Sequence, residues 1–85
     1  MFTVYVLYGV SYNKIYIGFT SDLEARLAAH NAENGKGYTH SFRSWKVIHS
    51  EQFNTKSEAQ KREKQLKSAR GRAFIWDLVK TISKT

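Results

Sequence analysis

Cysteine is missing from this 85-residue chain, and with it go disulfides and thiolate metal sites. A reducing compartment fits that absence. No apolar run approaches the roughly 20 residues of a membrane span, so no transmembrane helix is expected. The opening Met1-Phe2-Thr3-Val4-Tyr5 lacks the basic start of a signal peptide, and the sequence predicts a cytoplasmic protein. No GxxxxGK[ST] occurs, which excludes a P-loop; nucleophile elbows and HExxH are absent too. His30, His40 and His49 have neither cysteine help nor the spacing of a zinc site. Acidic residues are scarce: seven Asp/Glu stand against fourteen Lys/Arg, a formal charge of +7.

Half of those bases fall between Lys56 and Arg72: Lys56, Lys61, Arg62, Lys64, Lys67, Arg70 and Arg72. A basic stripe on one segment is the footprint of a polyanion binder. A solvated helix face, a ribosomal partner or an anionic membrane surface explains the charge equally well. With 41% hydrophobic and 14% aromatic residues, the chain can bury a core and reads as one folded domain over residues 1–85.

Phe2 to Tyr8 and Lys14 to Thr20 are β-branched and aromatic runs joined by Gly9-Val10-Ser11-Tyr12-Asn13, the pattern of a β-hairpin. Ser21-Asp22-Leu23-Glu24 reads as a capping box with Ser21 as the cap, opening a helix from about Asp22 to Ala32. The glycine loop Asn34-Gly35-Lys36-Gly37 follows. Trp45 to Phe53 alternates as a third strand. Thr55-Lys56-Ser57-Glu58 is a second capping box, opening a helix to about Ala69 that Gly71 breaks. Ala73 to Ile82 forms a last helix with an apolar stripe through Phe74, Leu78 and Ile82. The order ββαβαα predicts an α+β fold, a small antiparallel sheet with helices packed against it.

At 100° per residue, Leu23, Arg26, Leu27 and His30 share an arc of about 100° on the first helix. Ala59, Glu63 and Leu66 share a face of the second. Glu63 thereby points a carboxylate at the packed side, where an unpaired charge is costly. It needs a cation such as Arg26 or Arg62, or a metal. Glu58 has a sufficient role at the helix start. One carboxylate suits Mg²⁺, which keeps several waters and takes one or two protein oxygens plus substrate phosphate. Tyr5 and Tyr16 share a sheet face only if the hairpin pairs odd with even positions, which the sequence leaves open. Aromatic hydroxyls, a fixed cation, an imidazole and a carboxylate are the residue types that hold a phosphodiester and a hard metal ion while water attacks.

Thr3-Val4-Tyr5, ten intervening residues and Tyr16-Ile17-Gly18 resemble the signature of the GIY-YIG nucleases. The resemblance continues through Tyr16-Ile17-Gly18-Phe19-Thr20-Ser21-Asp22-Leu23-Glu24-Ala25-Arg26-Leu27, His30-Asn31 and Ser57-Glu58-Ala59-Gln60-Lys61-Arg62-Glu63. It spans nearly the whole chain and is greatest to short, stand-alone bacterial members. Thr3 and Val4 replace the first glycine and isoleucine, and the late asparagine of some branches has no clear counterpart.

The resemblance implies a three-stranded antiparallel sheet flanked by helices and metal-dependent cleavage of DNA phosphodiesters. Tyr5 and Tyr16 would orient or deprotonate water, Arg26 would bind the scissile phosphate, and Glu63 would hold Mg²⁺ or Mn²⁺. His30 would assist proton transfer or bind phosphate. A tyrosine of ordinary pKa, about 10, is a poor base at neutral pH, so whether it deprotonates or only positions water stays open. Lys61, Lys64, Lys67 and Arg70 are the expected sequence-independent nucleic-acid contacts. Tyr38, Phe42 and Trp45 are candidates to stack exposed bases, with core packing the stronger expectation for Trp45. Two competing readings are a non-catalytic nucleic-acid-binding module on the same fold and an adaptor docked on a larger complex. Substrate form stays open among duplex, flap, branched and single-stranded DNA and RNA, as does oligomeric state.

Overall fold

The central strand is β1, Phe2–Gly9, and every one of its residues from Val4 to Tyr8 is buried. The computed structural model describes residues 1–9, 13–31 and 45–83, with His30, Asn31 and Ser83 described by backbone alone. Strands β2, Lys14–Thr20, and β3, Trp45–Phe53, flank β1 in the order β2-β1-β3, both antiparallel to it. Helices α1, Leu23–Asn31, α2, Lys56–Lys67, and α3, Ala69–Ser83, complete the described residues. The architecture is the expected α+β fold in the order ββαβαα. Among the described residues no helix is long and apolar enough to cross a membrane.

Alternation along β1 gives each sheet face its own core, since successive side chains point to opposite sides. Val4 and Val6 join Ile17, Ala59, Leu66 and Ile75 under α2 and α3. Tyr5 and Leu7 join Trp45 on the other face, where Leu23 and Leu27 of α1 cover them. Each such fully buried aliphatic side chain contributes about 1.5–3 kcal/mol. Val4 is fully buried, so this departure from the family signature fills the core. Trp45, 3% exposed, is a core residue and cannot stack a base; Tyr38 and Phe42 lie outside the described residues.

The hairpin turns at Asn13, whose φ of 54° is left-handed and which accepts a 2.8 Å hydrogen bond from the Tyr8 hydroxyl. Residues 10–12 and the glycine loop of residues 34–37 lie outside the described residues. On the β3 side, Val6 pairs with His49 but Leu7 with Val47, so a bulge at Ile48 puts Val47 and His49 on opposite faces. His49 and Glu51 therefore lie under α2. There Arg62 donates from Nε to Glu51 Oε1 at 3.0 Å and from Nη2 to Oε2 at 3.0 Å, and His49 Nε2 lies 2.7 Å from Oε2. This fork binds α2 to β3.

Three details of the helices differ from the sequence expectation. Asp22, not Ser21, caps α1: Oδ1 accepts from the Ala25 amide at 3.2 Å, and Thr20 Oγ1 accepts from the Asp22 amide at 3.1 Å. Ser68, not Gly71, ends α2: its hydroxyl donates to the Gln65 carbonyl at 2.6 Å and accepts from the Gly71 amide at 3.2 Å, capping two helices at once. Gly71 sits inside α3 because a Cβ there would lie 2.3 Å from the Gln65 carbonyl oxygen and 2.5 Å from Leu66 Cα. That close contact fixes the rotation of α3, which buries Ile75 and Val79 and leaves Phe74 42% exposed. Thr55 caps α2 as expected, its Oγ1 accepting from the Glu58 amide at 3.2 Å, while the Glu58 carboxylate accepts from the Thr55 hydroxyl at 3.0 Å.

Candidate active site

The hairpin register pairs Tyr5 with Gly18 and Leu7 with Tyr16. Odd pairs with even, so the two tyrosines share a face, with ring centroids 6.2 Å apart in a stacked arrangement. Gly18 makes this possible. A Cβ on it would lie 2.8 Å from Tyr5 Oη, 3.0 Å from Tyr5 Cζ and 3.1 Å from Tyr16 Cε1. The glycine of Tyr16-Ile17-Gly18 is thus the floor on which both rings rest, and its need is space rather than backbone conformation.

Tyr5, Tyr16, Gly18, Arg26, Lys56 and Glu63 line one cleft of about 570 Å³, walled by β1, β2, α1 and α2. Glu63 lies on the α2 stripe between buried Ala59 and Leu66, its side chain 19% exposed. Lys67 Nζ approaches Glu63 Oε1 at 3.6 Å. An i,i+4 pair of this kind is worth about 0.3–0.5 kcal/mol, weak enough for a stronger ligand of either partner to displace it. Arg62, the other partner the sequence offered Glu63, is committed to Glu51. Arg26 makes no ion pair among the described residues and turns into the cleft.

Burial pushes the Tyr5 hydroxyl up to about 12, with the neighbouring Tyr16 and Glu63 adding to the rise and Arg26 opposing it. Tyr5 therefore keeps its proton at neutral pH. Among the described residues no three His, Asp or Glu side chains cluster, so an all-protein cage does not form there. The donor set fits a hard cation that retains water: one carboxylate, with hydroxyls of Tyr5, Tyr16, Thr20 and Ser21 lining the same cleft.

Of the expected site residues, Tyr5, Tyr16, Arg26 and Glu63 meet in the cleft; the His30 side chain lies outside the described residues. The basic stripe divides. Lys61 and Lys64 are exposed on α2, Lys67 faces Glu63, and Arg70 lines a separate cavity of about 490 Å³ with Arg62 and Phe74. Lys56 is a cleft residue that the reading of catalytic groups passed over. Its signal was available: seven residues before Glu63, it stands two turns away on the same helix face.

Fold and cleft together define the class. Residues 1–74 match the GIY-YIG catalytic domain, and the chain belongs to that family, a family of nucleases. Its relatives are UPF0213 proteins. That of Staphylococcus haemolyticus is 43% identical over 56 residues, 66% of this chain and 68% of the relative. That of Natronomonas pharaonis is 38% identical over 65 residues, covering 76% and 75%. That of Listeria welshimeri is 49% identical over 51 residues, covering 60% and 57%. No solved structure matches the chain.

Proposed function

We propose that this protein is a divalent-metal-dependent endonuclease that hydrolyses DNA phosphodiester bonds by in-line attack of water, with Glu63 holding Mg²⁺ or Mn²⁺. The observation that carries this reading is the meeting of Tyr5, Tyr16, Arg26 and Glu63 from four different elements in one cleft. Packing alone does not require a carboxylate on the Ala59–Leu66 stripe.

In this reading Arg26 and Lys56 bind the scissile phosphate, and Arg26 offsets charge developing on its oxygens. Tyr5, protonated and immobilised between Gly18 and Tyr16, donates a hydrogen bond that orients phosphate or water. The proton of the attacking water passes to Tyr16, to His30 or to a phosphate oxygen, not to Tyr5. The cation supplies Lewis-acid stabilisation of the phosphate and leaving oxygens when bound. Lys61, Lys64, Lys67 and Arg70 add phosphate contacts along the substrate, which raise affinity without reading sequence.

The Lys67–Glu63 pair favours one alternative, a non-catalytic nucleic-acid-binding module whose carboxylate is neutralised by lysine. Cleavage of labelled single-stranded, duplex and branched DNA and of RNA in Mg²⁺ or Mn²⁺, with Glu63→Ala alongside, separates the two. Cutting by the wild type and none by Glu63→Ala, with binding retained, is the expected result. A folded wild type that binds but never cuts refutes the nuclease reading, and a mutant that cuts as well refutes the metal-holding role of Glu63.

A further inference from the structure

Across Tyr16 from the cleft lies a smaller cavity of about 230 Å³, lined by Ile15, Tyr16, Ile17, Lys67 and Arg72. Tyr16 is a wall of both cavities. The lining holds two cations and no acidic side chain. Arg72 Nε donates to the Lys67 carbonyl oxygen at 3.1 Å, which fixes the guanidinium beside the end of α2 with its terminal nitrogens uncommitted among the described residues. Arg72 makes no ion pair among the described residues. Two like charges on one small cavity repel each other, and an anion between them relieves that repulsion. The cavity also lies against β2, an edge strand of the sheet, so an extended chain leaving the cleft past Tyr16 meets no further strand among the described residues.

We infer that this cavity is a second phosphate subsite, which holds the phosphodiester next to the scissile one on the same strand, with Lys67 and Arg72 as its cations. The role of the cleft in this inference rests on the nuclease reading; anion binding by the cavity does not. Lys67 lines this cavity and reaches the cleft only through Glu63: it pairs weakly with that carboxylate when the protein is free and turns to the neighbouring phosphate when a strand is bound. The subsite lies on one side of Tyr16, so the neighbouring phosphate matters on one side of the cut. Lys61 and Lys64 line neither cavity, and their contacts carry no such polarity.

The test is an end-labelled oligonucleotide carrying one neutral methylphosphonate link, cut by wild type, Arg72→Gln and Arg72→Lys. The wild type cuts the bond on one side of the neutral link roughly tenfold less than the bond on the other, the worth of one charge-assisted contact. Arg72→Gln loses this asymmetry, and Arg72→Lys keeps most of it. Equal cutting on both sides by the wild type overturns the subsite. A wild type that cuts no oligonucleotide refutes the nuclease reading, and the subsite is then judged by binding in EDTA. There the slope of log K against log salt is shallower by about one for Arg72→Gln and unchanged for Arg72→Lys. An unchanged slope for a folded Arg72→Gln, checked by circular dichroism, overturns it.

Discussion

Gly18→Ala tests the geometry of the cleft with the smallest available change. The added methyl carbon lands 2.8 Å from Tyr5 Oη and 3.0 Å from Tyr5 Cζ, some 0.6 Å inside ordinary contact of about 3.4 Å for the nearer atom. Tyr5 is 1% exposed and stacked on Tyr16, so the ring retreats only by giving up that packing. Overpacking of this kind costs about 1–3 kcal/mol, and the loss of a strand glycine returns about 0.5–1 kcal/mol. At the middle of both ranges the net is about 1 kcal/mol, a fall in Tm of about 4–8 °C for a domain of this size. Moving the Tyr5 hydroxyl by half an ångström also lowers kcat/KM by about 10–100-fold. Calorimetry with Tyr5→Phe and the double variant completes a cycle. Removing the hydroxyl deletes the nearest atom, so Gly18→Ala costs less in the Tyr5→Phe background. Equal costs in both backgrounds, or an unchanged Tm in the single variant, would show that Tyr5 is not wedged against Gly18.

Tyr5 carries a raised pKa in the folded state, so its contribution to stability is complete below pH 10 and is lost as pH rises towards 12. Alkaline unfolding of Tyr5→Phe, followed by circular dichroism, is accordingly shallower over that window, and wild-type cleavage shows no Tyr5 inflection near neutrality. Burial pushes the Glu51 carboxyl up, but hydrogen bonds and charge from Arg62 and His49 outweigh it and hold its pKa below the ordinary 4.5. Stability from this group is present above pH 4.5 and is lost as pH falls further; Arg62→Gln flattens that acid limb in a Tm-against-pH series. Gly71→Ala meets backbone atoms of Gln65 and Leu66 that cannot rotate away. It costs about 3 kcal/mol or more in urea unfolding, whereas an ordinary helix glycine gains from the same change.

The strands and the α2 cap were legible because each is written in neighbouring residues: a β-branched and aromatic run in Phe2 to Tyr8, alternation in Trp45 to Phe53, and Thr55 with Glu58 three apart. The α1 cap was off by one because Ser21 and Asp22 are both competent caps, and Thr20 Oγ1, by accepting from the Asp22 amide, selects the second. The stripe on α3 was misplaced for a different reason. Phe74, Leu78 and Ile82 satisfy helical spacing as well as Ile75 and Val79 do, and the choice is made by Gly71 against Leu66, a contact no local pattern contains. The cleft divides the same way. The meeting of Tyr5 with Tyr16 waited on a register that only the paired strands supply, and Arg72 waited on the turn at Ser68 that brings α3 beside Lys67. Glu63 needed neither. It interrupts an apolar stripe whose flanking members, Ala59 and Leu66, are 0% and 1% exposed, and packing gives no return for a carboxylate there. A carboxylate that breaks an apolar stripe, with its side chain only 19% exposed, has a role other than packing, and in this chain that residue lines one cleft with Arg26 and two tyrosines.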